Sequence, residues 1–165
     1  MTKPKDQLEQ RICRAIGSVS GEIKQNVGDA TWTKSIFKAL SVLGVELGYS
    51  ICSSSHDGEY DGGWLYDLIW YQNDEAGQLI TLPLILESEW HRSYERIKFD
   101  FEKLLAGRAK YKVMIFQASG DKKREYLDKL ELGIKAFQGG GGNETYLLAC
   151  FDETKWAFEI KSIQT

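Results

Sequence analysis

The order in which the hydrophobic period changes along the chain narrows its fold more than any other feature. Residues 31–47 (TWTKSIFKALSVLGVEL) space Trp32, Ile36, Leu40, Leu43 and Leu47 for one face of a helix, with Thr31 placed to cap it and Gly48 to close it. Three apolar runs with strand character follow: 49–53, 64–71 (WLYDLIWY) and 79–89 (LITLPLILESE). The period then returns to helical over 91–107, where Tyr94, Ile97, Phe101, Leu104 and Leu105 form one stripe. A strand at 111–117 (YKVMIFQ), a helix at 121–137 and two strands at 145–151 and 156–163 complete the series. Helix, three strands, helix, strand, helix, two strands is the order of an α/β protein, a mixed β-sheet flanked by α-helices.

Local signals refine this order. NDEAGQ (72–77) is a turn that makes 64–71 and 79–89 a hairpin. Pro83 cannot donate to a ladder, so its part of the strand belongs at an edge or a bulge. Residues 5–17 are helical, with Leu8, Ile12 and Ile16 in step, and the polar, glycine-bearing stretch after them reads as a loop or a frayed helix. The GGGG run at 139–142 lacks the lysine of a phosphate-binding loop and reads as a flexible turn.

A chain of 165 residues fits one domain, and 42% hydrophobic residues suffice for its core. The expected division is 1–30 as an N-terminal helix and loop, 31–117 as the core, and 118–165 as a C-terminal helix and hairpin. No apolar run approaches the length of a membrane span, and the first residues have no secretory leader pattern, so no membrane partner is expected. Cys13, Cys52 and Cys150 are odd in number and far apart, which fits reduced thiols in a cytoplasmic protein.

The net charge of −3 gives no general attraction to nucleic acid, but the charges are unevenly placed. Residues 39–91 hold no Lys or Arg and nine acids; residues 92–112 hold seven bases and three acids. Three of the acids are in apolar runs. Asp67 interrupts WLYDLIWY, and Glu87 and Glu89 end the next run two residues apart, on one strand face. A buried carboxylate needs a cation or a donor network. If the two runs are neighbours, Asp67, Glu87 and Glu89 converge, and a Mg²⁺ (or Mn²⁺) ion relieves their repulsion. His91, Arg92 and Arg96 follow directly and are candidates for phosphate contact, while His56 in a polar loop is a weaker one. Trp64, Trp70 and Trp90 are core residues first and base-stacking surfaces second.

With Asp67 in YDLIW and Glu87-Ser88-Glu89 in LILESEW, residues 31–117 resemble the PD-(D/E)xK nuclease superfamily, whose fold is restriction-endonuclease-like. That core is a helix, three strands, a helix and a strand, with an Asp in the second strand and an acid-x-Lys pair in the third. The resemblance implies Mg²⁺-dependent hydrolysis of phosphodiester bonds, with DNA as partner and with a homodimer or a protein partner assisting. It implies metal binding by Asp67 and Glu87, and a metal-binding or water-orienting role for Glu89. Glu46, late in the first core helix, matches an additional acid that some members place there. Glu89 stands where the family carries lysine, although acid-x-Glu pairs occur among its restriction enzymes. A lysine can instead come from the following helix, with Lys98 nearer in sequence and Lys103 further along. The alternative is a catalytically inactive module of this fold that binds a protein or nucleic-acid partner. A weaker alternative is an acidic immunity or regulatory protein that meets a basic partner.

Overall fold

The computed structural model describes residues 6–55 and 62–165. It is an α/β structure in which one six-stranded mixed sheet is flanked by four helices. The strands are β1 (Ser50–Ser53), β2 (Leu68–Asn73), β3 (Leu79–Glu89), β4 (Tyr111–Gln117), β5 (Thr145–Asp152) and β6 (Ala157–Gln164), and they lie in the sheet in that order. Pairings β1–β2, β2–β3 and β5–β6 are antiparallel, whereas β3–β4 and β4–β5 are parallel. Parallel neighbours need a crossover. Helices α3 (Tyr94–Ala106) and α4 (Gly120–Ala136) supply the two crossovers.

The strand period of two divides the core. On one face Leu84, Leu86, Val113 and Ile115 pack with Trp32, Ile36 and Leu40 of α2 (Asp29–Glu46) and with Ile12 and Ile16 of α1 (Gln7–Glu22). On the other face Ile69, Ile85, Met114 and Phe116 pack with Ile97, Phe101 and Leu104 of α3 and with Leu127 and Leu130 of α4. Gly44 permits the close approach of α2 to the sheet. A Cβ there would lie 2.6 Å from Ile51 Cδ1 and 2.7 Å from Trp70 Nε1. The Trp70 indole is fully buried and donates to the Leu40 carbonyl at 3.1 Å, and Trp90 is buried too.

Two boundaries differ from the sequence expectation. The stretch after residue 17, expected as a loop or a frayed helix, is regular helix as far as Glu22. Val19 is buried there, and the Ser18 and Ser20 hydroxyls donate to the carbonyls of Ala15 and Gly17. Packing of the helix face outweighs the glycine penalty of about 1 kcal/mol per residue. The predicted strand 64–71 begins only at Leu68. Leu65 takes a left-handed backbone (φ 63°) that a strand cannot contain, and Trp64 and Leu65 are exposed. Pro83 falls where the β2–β3 register shifts, between the Trp70–Leu84 and Gln72–Thr81 pairs, and β4 pairs with β3 only from Leu84 onward. The bulge expected of it is present. No helix among the described residues is long and apolar enough to cross a membrane.

Candidate functional site

Register brings Asp67 and Glu87 together. Leu68 pairs with Leu86, so one step outward Asp67 comes opposite Glu87 where β2 begins and β3 nears its end. Asp67 is half-buried, and its Oδ2 accepts the Ser88 N–H at 2.9 Å and the Ser88 hydroxyl at 3.1 Å. These bonds fix the carboxylate and leave Oδ1 without a hydrogen-bond partner among the described residues.

Glu87 shares a sheet face with Ile85 and is only 1% exposed. Its Oε2 accepts from Lys103 Nζ at 2.7 Å, across from α3. The same ammonium is 2.8 Å from Asp100 Oδ1, one helical turn away. Glu87 Oε1 is buried and has no hydrogen-bond partner among the described residues. Burial pushes the Glu87 carboxyl up to about 7; the Lys103 hydrogen bond opposes this, and the charge of Asp67 adds to it. For Lys103, burial works against the charge, but the bonds to Asp100 and Glu87 outweigh it and hold the ammonium up at about 12. The cation therefore persists throughout the range in which Glu87 gains or loses its proton. Tyr66 closes this corner. Burial first, and then the Glu87 charge, raise its phenol, and its ring end occupies the place where a Cβ on Gly107 would lie.

The other predicted residues take different positions. Glu89 is half-buried and its Oε1 accepts the His91 N–H at 2.7 Å, so it caps its own chain turn. It lines an open cleft of about 700 Å³ with Asp67, Ser88, His91, Arg92 and Gln117. Glu46 is not in this cleft. It pairs with Arg11 at 3.0 Å in a groove between α1 and α2. Lys98 is exposed and pairs with Glu102 at 3.3 Å, so Lys103 rather than Lys98 joins the carboxylates. Arg96 is exposed on the first turn of α3. Exposed His91 accepts the Ser93 N–H at its Nδ1. The two terminal guanidinium nitrogens of Arg92 reach Glu153, at 3.0 and 2.8 Å. His56 lies outside the described residues.

Ser88, Asp100, Tyr66 and Gln117 are site residues that the sequence reading passed over. Asp100 carried a usable signal, because a carboxylate three residues before a lysine on a helix is its neighbour in space. Gln117, which donates from Nε2 to the Trp90 carbonyl, carried none.

Among the described residues no group of three or more His, Cys, Asp or Glu side chains could hold a metal ion, so Asp67, Glu87 and Glu89 do not close into a three-carboxylate cage. Two carboxylates do adjoin. Mg²⁺ is commonly held by one or two carboxylates with water in its remaining positions. Glu87 Oε1 and Asp67 Oδ1, neither of which has a hydrogen-bond partner among the described residues, are the donor atoms such a site would use. Comparison of the chain with known protein families, with curated proteins and with solved structures gave no match.

Proposed function

We propose that this protein is a divalent-metal-dependent phosphodiesterase that acts on nucleic acid, with DNA as its substrate. The observation that carries this reading is the buried Glu87 carboxylate beside Asp67, clamped by Lys103 and left with one unsatisfied oxygen. Burying an acceptor without a partner costs about 1–3 kcal/mol, a cost that a bound ion removes. The element order supports the same reading. A helix, three antiparallel strands, a crossover helix and a parallel fourth strand, α2-β1-β2-β3-α3-β4, follow in the order that the resemblance to a restriction-endonuclease-like core implies.

Asp67 Oδ1 and Glu87 Oε1 would hold Mg²⁺ or Mn²⁺. When bound, the ion lowers the pKa of a water and polarises a phosphoryl oxygen. The protein's own contribution is positional. Ser88 orients Asp67 through two donors, and Lys103 anchors Glu87. The Lys103 side chain is 40% exposed, so it is open to solvent and can meet negative charge that develops on the phosphate. It thereby supplies from a helix the charge that Glu89 cannot supply from the strand.

A second reading is a non-catalytic binding module of the same architecture. It is favoured by the engagement of Lys103 with two carboxylates at once. One experiment separates the two. Wild type, Asp67→Ala, Glu87→Gln and Lys103→Ala are purified identically, checked for folding by circular dichroism, and incubated with supercoiled plasmid in Mg²⁺, Mn²⁺ or EDTA. Metal-dependent nicking by wild type, lost in both carboxylate variants and reduced on the order of a hundredfold in Lys103→Ala, is the expected result. Nicking at equal rates in all four proteins, or none in any, rejects hydrolysis.

A further inference from the structure

Beside the cleft lies a second, more enclosed cavity of about 250 Å³ that shares Arg92 and Gln117 with it. Its remaining walls include Ser119, Lys122, Phe151 and Glu153. Lys122 is exposed and makes no ion pair among the described residues. Arg92 grips Glu153 through its two terminal guanidinium nitrogens, a two-pronged geometry that a phosphate group matches as well as a carboxylate does. Both partners are substantially exposed, at 62% and 46% of the side chain, so the pair opens at little cost. The cavity thus has one cation with no ion pair among the described residues, one cation held by an internal carboxylate, and two wall residues in common with the cleft that contains Asp67.

We propose that this cavity is a phosphate subsite for a nucleic-acid strand, that Lys122 and Arg92 contact the phosphate, and that Glu153 holds the place of that phosphate until the strand displaces it. The substrate class rests on the phosphodiesterase reading above, whereas the cavity and its two cations do not. A strand whose reacting phosphate lies near Asp67 would continue past Arg92 into the cavity. Because Glu153 competes for Arg92, removing its charge strengthens binding; reversing the charge of Lys122 weakens it.

The test is fluorescence anisotropy of a fluorescein-labelled single-stranded oligodeoxynucleotide with the full chain. Ca²⁺ is present to neutralise the carboxylates, the oligonucleotide's integrity is checked on a gel, and the titration is repeated over a series of salt concentrations. Wild type, Lys122→Glu and Glu153→Gln are compared, with thermal melts confirming that all three are folded. The expected result is binding weakened roughly tenfold in Lys122→Glu, with the salt slope shallower by about one. Glu153→Gln is expected to bind roughly threefold more tightly than wild type. Opposite shifts in the two variants support the subsite. Equal binding by all three, weaker binding by Glu153→Gln, or no binding by wild type overturns it. Binding of inorganic phosphate in calorimetry without binding of the oligonucleotide overturns it in favour of a small-anion site. Hydrolysis is not read in this experiment, so failure of the catalytic assignment, seen as plasmid nicking unaffected by Asp67→Ala, remains a separate result.

Discussion

Lys98 and Lys103 lie on one helix, and only Lys103 reaches a strand carboxylate. Five residues at 3.6 per turn place them about 140° apart around the axis. Lys103 borders the buried stripe of Ile97, Phe101 and Leu104, while Lys98 points outward to Glu102. Nearness in sequence to Glu87 therefore favours Lys98, and helix rotation favours Lys103. Truncating each gives different consequences. Lys103→Ala leaves the Glu87 carboxylate buried without its cation and is expected to cost about 1–3 kcal/mol. Lys98→Ala removes an exposed i,i+4 pair and is expected to cost no more than about 0.5 kcal/mol. Urea denaturation of metal-free protein at pH 8, above the value of about 7 to which burial raises Glu87 while Lys103 is present, measures both. Equal costs would mean that the Glu87–Lys103 pair does not form in solution.

The turn between β5 and β6 is held by charge in a way that predicts how the fold responds to acid. Asp152 Oδ1 accepts the Thr154 N–H at 3.0 Å and the Thr154 hydroxyl at 2.6 Å, and Oδ2 accepts from Lys123 at 2.9 Å. The Thr154 hydroxyl first, and then Lys123, lower the carboxyl from 3.8 to about 2. Its folded value lies below its unfolded value, so this stabilisation is complete above about pH 4 and disappears as pH falls through 2. Asp152→Asn should remove on the order of 1 kcal/mol at neutral pH and flatten the stability profile between pH 4 and 2, read by urea midpoints across that range. An unchanged acid limb would place the titrating groups elsewhere. The element containing Asp152 was itself readable from the chain, as were β3, β4 and both crossover helices, because each has one strong period and a marked end. The start of β2 was not readable, since nothing in WLYD announces the left-handed Leu65 that delays the strand to Leu68. That same delay puts Asp67 at the strand entrance rather than mid-strand, with Ser88 as its donor. In the site, the pairing of Asp67 with Glu87 followed from the hairpin. The diversion of Glu89 to the His91 N–H depends on a chain turn that side-chain spacing does not encode.

Across the whole molecule, the candidate cleft and a buried charge cluster occupy different ends of β4. Gln117, its last residue, lines the cleft, whereas Lys112 lies five residues earlier, about 16 Å back along the strand. Lys112 is fully buried and donates to Glu144 at 2.8 Å and to the Tyr146 hydroxyl at 3.0 Å. A buried pair of this kind contributes little over an apolar replacement, yet breaking it from one side leaves a stranded charge. Lys112→Met is therefore expected to destabilise by about 3–5 kcal/mol, because Glu144 stays buried without its cation and keeps only the neutral Tyr146 hydroxyl as donor. Adding Glu144→Leu removes that charge and should restore most of the loss, leaving only the Tyr146 hydroxyl to satisfy. The double variant should then match wild type in oligonucleotide binding and plasmid nicking, because none of the cleft's side chains has changed. Urea denaturation of the single and double variants, run beside the two nucleic-acid assays, tests this division. A double variant that regains stability but not nucleic-acid binding would show that the Lys112 cluster is coupled to the cleft, and the separation of roles along β4 would be wrong.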